Sequence, residues 1–272
     1  MFRSHSARHS SNNVFYQRAA AQKPKGQRNA KIKDVSKGQK NDRNAGKIVN
    51  KVSSTNQAVN DDMPYVGCRD ANNMKVDWFV TVLFPNSMSS YTITSLDPQQ
   101  IVLDNDVKHS AVTETLKQTQ DIENVQYYAY NDHKPNEKVS SSDAHGKGVK
   151  AGNATGAYHL KHSCPKFPAV DLMTSSDPTD WFGKNVEKFG QYFFCTTLDP
   201  KEAETVDLIN EFIQVKVIFG QNNFKKMFKS YDRSDFKKLG YPDHRTGHFI
   251  TAGGSKISFY AKNPNIGVAK GM

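Results

Sequence analysis

Asp143-Ala-His-Gly-Lys-Gly-Val149 and, after a short gap, Tyr158-His-Leu-Lys-His-Ser-Cys-Pro-Lys-Phe-Pro168 decide the reading of this 272-residue chain. The first stretch holds His145 and Lys147 two residues apart in an extended run. Side chains at i and i+2 of a strand project to the same side. An imidazole and an ammonium therefore face one spot, an arrangement suited to holding and attacking a phosphodiester. The spacing predicts strands over His145–Ala151 and Ala157–Ser163, joined by the turn Gly152-Asn-Ala-Thr-Gly156.

A second His-x-Lys, His159/Lys161, lies on the neighbouring strand. With 9 His and 29 Lys in 272 residues, roughly one such pair arises by chance. A double-motif enzyme would draw its two motifs from distant halves of the chain. His159/Lys161 is therefore read as coincidental.

Upstream of these strands, Val76–Phe84 is an apolar, β-branched and aromatic run that predicts a buried strand. Tyr91–Leu96 and Val125–Tyr130 predict two more, the latter ending at the turn Asn131-Asp132-His133-Lys134-Pro135. Ala111–Asn124 has helical composition, and Lys138–Ser142 reads as a polar loop. Downstream, Tyr192–Leu198, Val215–Phe219, His248–Thr251 and Ile257–Lys262 predict strands. Pro200–Gln214 predicts a helix with acidic residues in its first turn, and Asn222–Tyr231 a short basic helix. Helices and strands mix irregularly, which points to an α/β class with α+β layering and a mixed sheet.

Charge is uneven. Nine of the ten net positive charges fall within residues 1–63, so basicity belongs to a tail and not to a folded nucleic-acid-binding surface. That tail is polar and poor in apolar residues. It is expected to be disordered, with the folded domain over 64–272. Met1–Ala30 holds no apolar h-region, so no secretory signal is expected there. No run of apolar residues approaches transmembrane length. The three cysteines, Cys68, Cys164 and Cys195, form no CxxC and suggest no zinc site. One disulfide with a spare thiol and three free thiols both remain open. Asn153-Ala-Thr155 is an N-glycosylation sequon in a turn.

Six landmarks in order resemble the deoxyribonuclease II family. Val76-Asp-Trp-Phe-Val80 after Cys68 looks like its opening strand, and Tyr130-Asn131-Asp132 like its next landmark. Asp143–Val149 resembles its His-Thr-Lys-Gly-Val motif, with Gly146 in place of Thr. His162-Ser-Cys-Pro-Lys-Phe-Pro168 is similar to its His-Ser-Val-Pro-x-Phe-Pro segment. Phe189-Gly-Gln-Tyr-Phe-Phe-Cys195 resembles its Gly-Gln strand. Ser258-Phe-Tyr-Ala-Lys262 looks like its Ser-Phe-Ala-Lys stretch with one residue inserted.

The resemblance implies a phospholipase D-like lobe and an endonuclease that cleaves DNA without metal or other cofactor, in acid, leaving 3′-phosphates. Imidazolium and ammonium groups would then meet the charge on phosphate oxygens. His145 would be the catalytic histidine, Lys147 a phosphate clamp, His162 a further site residue and Lys262 a substrate contact. A structural role for His162 and a surface role for Lys262 stand beside those assignments. The resemblance also implies a Cys68–Cys195 disulfide and a lysosomal or extracellular location, with Cys164 a buried thiol.

The family's second motif, Asp-His-Ser-Lys-Trp, is expected beyond Lys262. Asp243-His-Arg-Thr246 lies upstream and lacks the Lys-Trp. The second lobe is therefore expected to be incomplete, as in an unfinished product, a degenerate member or a half-molecule that forms a homodimer. The rival functions are a catalytically dead nucleic-acid-binding or secreted interaction protein on the same scaffold and, less favoured without a membrane-inserting helix, a lipid phosphodiesterase.

Overall fold

A computed structural model describes residues 63–135, 144–221 and 242–262. All but Met63 of the expected basic tail (1–63), the Lys138–Ser142 loop and the Asn222–Tyr231 helix lie outside the described residues. The elements run β1 (Trp78–Leu83), β2 (Ser90–Thr94), β3 (Val102–Asp104), α1 (Ala111–Asp121), β4 (Gln126–Asn131), β5 (Lys147–Gly152) and β6 (Ala157–His162). They continue with α2 (Pro178–Val186), β7 (Gln191–Leu198), α3 (Pro200–Ile213), β8 (Val217–Gly220), β9 (His244–Ile250) and β10 (Lys256–Lys262).

Eight strands form one sheet in the order β3-β2-β1-β7-β6-β5-β4-β8, and β9 and β10 form a separate hairpin. The expected α+β layering is present. The sheet itself corrects the expected mixed pairing, because each neighbouring pair within it is antiparallel. The physical reason is connectivity. The links β1–β2, β4–β5, β5–β6 and the β6–β7 segment return the chain beside the strand it left, and only a long crossover makes a parallel neighbour.

Both faces of β5 and β6 are covered, so even their polar side chains Lys147, Lys150, His159 and His162 are buried. On one face, Val112 and Leu116 of α1 and Trp181 and Phe182 of α2 pack with Tyr127, Val149, Leu160 and Phe193. On the other, Ala203 and Val206 of α3 and Phe249 of the hairpin pack with Ala157 and Leu198. Ser110 caps α1 by accepting a hydrogen bond from Val112 N–H, as an N-cap serine does. A Pro at the first turn starts α3, and Gln214 closes it in the left-handed region (φ 54°).

A disulfide joins Cys68, in the segment that precedes β1, to Cys195 of β7. The pairing implied by the family resemblance is therefore present. Cys164 is a buried free thiol whose titration burial pushes far up, consistent with an inert packing residue.

Candidate active site

Three strand ends meet at one edge of the sheet. Asn131 ends β4, Lys147 opens β5 and His162 ends β6. Antiparallel pairing puts all three at the same end, and Asn131 faces Lys147 directly in the register. Strand alternation then fixes the face. Val149 and Ala151, two and four residues beyond Lys147, lie in the core under α1 and α2, so Lys147 projects to that side.

Asn131 ties the end of β4 to the loop after β6. Its amide donates to the carbonyls of Cys164 (3.1 Å) and Phe167 (2.9 Å), and its Oδ1 accepts from His133 N–H (2.9 Å). The next residue, Asp132, is thereby held with its side chain only 4% exposed. Three cationic or potentially cationic groups converge on that carboxylate. Lys147 Nζ lies 2.5 Å from Oδ1, and His145 Nδ1 bonds Oδ2. His133 Nδ1 stands 3.0 Å from Oδ1 at an angle that makes the contact electrostatic rather than a well-aligned hydrogen bond.

Burial alone would raise the Asp132 carboxyl; the contacts of His145, Lys147 and His133, with the Lys147 charge, overcome it and hold the carboxyl well below the ordinary range. A carboxyl depressed in this way contributes stability that is complete above its unfolded value, about 3.9. That contribution fades only as pH falls through the lower folded value. Asp132 therefore keeps its grip throughout the mildly acidic range.

His145 and Lys147 converge on Asp132, but not by the strand alternation expected of them: β5 opens only at Lys147, and His145 lies in a bend where Gly146 N–H donates to Ala144 O (2.7 Å). They differ in access. The His145 side chain is 76% exposed, whereas that of Lys147 is 5% exposed. With Nδ1 on the carboxylate, His145 turns Nε2 outward, the opposite side of the ring from the bond that orients it. On the opposite face of β5, Gly148 leaves room for Tyr130: a Cβ there would lie 2.5 Å from Tyr130 Oη and 2.9 Å from Leu160 O.

His162 sits beside the same corner but faces inward. It is 3% exposed, edge-on to Phe167 at 4.9 Å and tilted against Phe193 at 5.7 Å. Neither ring nitrogen has a well-formed hydrogen bond. Burial, followed by the Lys147 charge, pushes its titration down to about 3. A histidine depressed on folding stays neutral in the native state while the unfolded chain takes up the proton. Its effect is therefore absent above about pH 6.5 and destabilises folding as pH falls from there towards 3. At pH 5 the cost is about 2 kcal/mol. Replacing His162 by Leu is expected to remove that acid-side loss. Urea unfolding of both proteins at pH 7.5 and pH 5 checks this; parallel losses in the two would refute it.

The other expected residues lie elsewhere. Lys262 is exposed at the end of β10, opposite His244 in the hairpin. That hairpin packs with α3 on the sheet face away from Lys147, so the structure does not bring Lys262 to Asp132. Asn153 lies in the β5–β6 turn, where its amide donates to Pro64 O (2.8 Å) and its Oδ1 accepts from Thr155. The second His-x-Lys pair is also on the α3 face. His159 Nε2 bonds Tyr130 Oη at 2.9 Å, and burial drives its titration well down. Nearby Lys150 pairs with Asp207 (2.5 Å), which also accepts from Tyr128 Oη (2.7 Å). These groups satisfy one another and are structural in character.

Asp132 and His133 are the site residues that sequence reasoning did not single out. The available signal was the Asn-Asp-His triplet at a strand end, which Asn131 converts into a turn that presents both side chains. Among the described residues, no group of three or more His, Cys, Asp or Glu side chains forms a metal-binding cluster.

Comparison with known proteins bears on this geometry. The chain is 26% identical over 144 residues to cell-death-related nuclease 7 of Caenorhabditis elegans, covering 49% of this chain and 37% of that protein. It is 27% identical over 159 residues to plancitoxin-1 of Acanthaster planci, covering 52% and 43%. To deoxyribonuclease-2-beta of Rattus norvegicus it is 26% identical over 161 residues, covering 53% and 44%. The matches thus span about two fifths of the length of these relatives. The sequence model described as deoxyribonuclease II matches residues 67–269, a stretch that contains the whole Asp132 corner, and the chain belongs to the deoxyribonuclease II family.

Proposed function

We propose that the chain is an acid endodeoxyribonuclease that hydrolyses DNA phosphodiesters through a histidine nucleophile, without a metal, leaving 3′-phosphates. Family membership supports the nuclease class. The observation that carries the mechanism is the bond from His145 Nδ1 to a buried, ionised carboxylate on an otherwise exposed ring.

In this mechanism Asp132 fixes the ring and stabilises the positive charge that develops on it. Nε2 of His145 attacks phosphorus. Lys147 pairs with Asp132 through its charge and offers ammonium donors to a non-bridging phosphate oxygen, where charge accumulates. His162, neutral and packed on Phe167 and Phe193, forms the buried wall behind Lys147. Lys262, on the far hairpin, is not needed for this step. The disulfide suits a lysosomal or extracellular location, where such bonds persist. Among the described residues no helix is long and apolar enough to cross a membrane.

One observation favours the rival, a DNA-binding protein without turnover. The Lys147 side chain is 5% exposed and already paired, so a phosphate must draw it outward. Plasmid DNA at about pH 5 in excess EDTA, within the range where histidine exchanges protons, separates the two. The chain is expected to nick it, and the His145→Ala form to leave it intact. Equal nicking by both forms would remove His145 as the nucleophile, and none by the folded parent would remove the nuclease reading.

A further inference from the structure

Phe193, His162, Lys147 and Asn131 form one row across β7, β6, β5 and β4. Gln191 stands two residues before Phe193, at the first position of β7, and so projects to the same face of the sheet. It lies opposite Leu83 and is 7% exposed. A glutamine buried to that degree needs partners for its amide. Only one half has them. Tyr192 N–H donates to Ser163 Oγ (3.0 Å), and the Ser163 hydroxyl donates to Gln191 Oε1 (2.6 Å). That relay sets the amide orientation, because the hydroxyl proton requires an oxygen acceptor. Nε2 then turns away from Ser163. It has no partner among the described residues, yet it is not sealed from solvent as the two His162 nitrogens are. The fold thus holds an open donor, on a buried side chain, beside the Lys147 corner.

Two strand spacings, about 10 Å, separate β7 from β5. Successive phosphates of one DNA strand advance by about 3.4 Å along the helix axis. A strand whose scissile phosphate sits at His145 and Lys147 therefore brings another phosphate to Gln191, about three nucleotides along. We propose that Gln191 is a DNA-binding residue of this site, with Nε2 donating to a non-bridging oxygen of that neighbouring phosphate. The inference rests on the reading of His145 and Lys147 as the place of cleavage. Glutamine is among the side chains that fix the register of a nucleic acid through its phosphates. The amide carries no charge, so the contact sets where the strand lies and adds little to long-range attraction. A substrate with phosphates on the Gln191 side is then held better than a single diester.

Binding is read without turnover, in the His145→Ala background, from the fluorescence anisotropy of a labelled single-stranded oligonucleotide. Gln191→Met keeps the length of the side chain and deletes both polar atoms of the amide. It is expected to weaken binding about tenfold, the size of one hydrogen bond to a charged group. The salt dependence stays as it was, since no cation is lost. Replacing the phosphates one at a time by neutral methylphosphonates locates the contact. One position, to one side of the scissile phosphate, weakens binding by the glutamine protein about tenfold more than binding by Gln191→Met. With His145 in place, Gln191→Met lowers kcat/KM on the oligonucleotide and not on thymidine 3′-(p-nitrophenyl phosphate), which has no neighbouring phosphate. Unchanged affinity, or an equal loss on both substrates, overturns the proposal and leaves Gln191 as the partner of Ser163 alone. The same methylphosphonate profile in both proteins does so too. Failure of the nuclease reading looks different: a parent that binds through Gln191 and cleaves neither substrate keeps the donor and removes the catalysis. If Gln191→Met does not fold, the methylphosphonate scan of the glutamine protein decides, and a profile with no position on that side standing out overturns the contact.

Discussion

Replacing Asp132 by Asn lowers DNA cleavage by roughly three to four orders of magnitude, the size seen when the carboxylate that orients a catalytic histidine is lost. The geometry explains why so small a change has so large an effect. Asp132 is the single acceptor on which His145, Lys147 and His133 converge. An amide has one oxygen and no charge, so it cannot hold His145 and Lys147 at once. His145 loses its fixed ring and the partner that stabilises its positive charge. The Lys147 side chain, 5% exposed, is left as a buried cation without a counter-charge, which costs about 3–5 kcal/mol of stability. His145→Ala makes the internal comparison. Its ring is mostly exposed, so that variant is expected to lose activity without the stability loss. Initial rates on plasmid DNA and urea midpoints at one pH check both halves. An Asp132→Asn form that cleaves within tenfold of the parent would show that Asp132 is a structural ion-pair partner and nothing more.

Removing the disulfide carries the largest expected effect on stability. Cys68 and Cys195 are 127 residues apart, so the bond closes a loop that spans α1, α2 and strands β1 to β6. Such a cross-link removes entropy from the unfolded chain, and a loop of that length is worth about 5 kcal/mol. Stability of that size is a third or more of what a typical domain possesses. Both sulfurs are fully buried in the core under α1 and α2, so paired alanines also leave a small cavity there. The Cys68→Ala/Cys195→Ala form is therefore expected to unfold at a much lower urea concentration than the parent. A change below about 1 kcal/mol would show that the unfolded chain gains little freedom when the bond is absent. Cys164→Ala is the control, since that thiol is unpaired and buried apart from the bond.

Much of this arrangement was legible in the residues themselves. The apolar run at Val76–Phe84 became β1 and the Pro200–Gln214 pattern became α3, because burial and helix periodicity leave a local trace. His145 and Lys147 were readable as a pair, although the strand expected to carry both begins only at Lys147 and a bend presents His145. The disulfide partners followed from family likeness, while spacing alone left three free thiols equally open.

What was hidden has physical causes. β3 is three residues long at the sheet edge, too short for alternation to register. α2 begins at Pro178 and contains Gly183 at φ 58°, so its pattern reads as punctuation. The antiparallel character of the sheet lies in which strands pair, which no single strand records. Asp132 and His133 were hidden for the same reason. Their meaning depends on a register that sets Asn131 opposite Lys147, and on Asn131 holding the loop after β6. Lys262 shows the converse. Its local motif suggested a site residue, yet its hairpin packs with α3 on the far face of the sheet.

The most direct measurement is to quench the reaction of the chain with a short DNA duplex in alkali, where phosphohistidine survives, and to map the adduct by mass spectrometry. The account predicts a nucleotidyl adduct on His145, attached through the 3′-phosphate and absent from the His145→Ala protein. Steady cleavage with no adduct on any histidine, or an adduct on a residue other than His145, would contradict it.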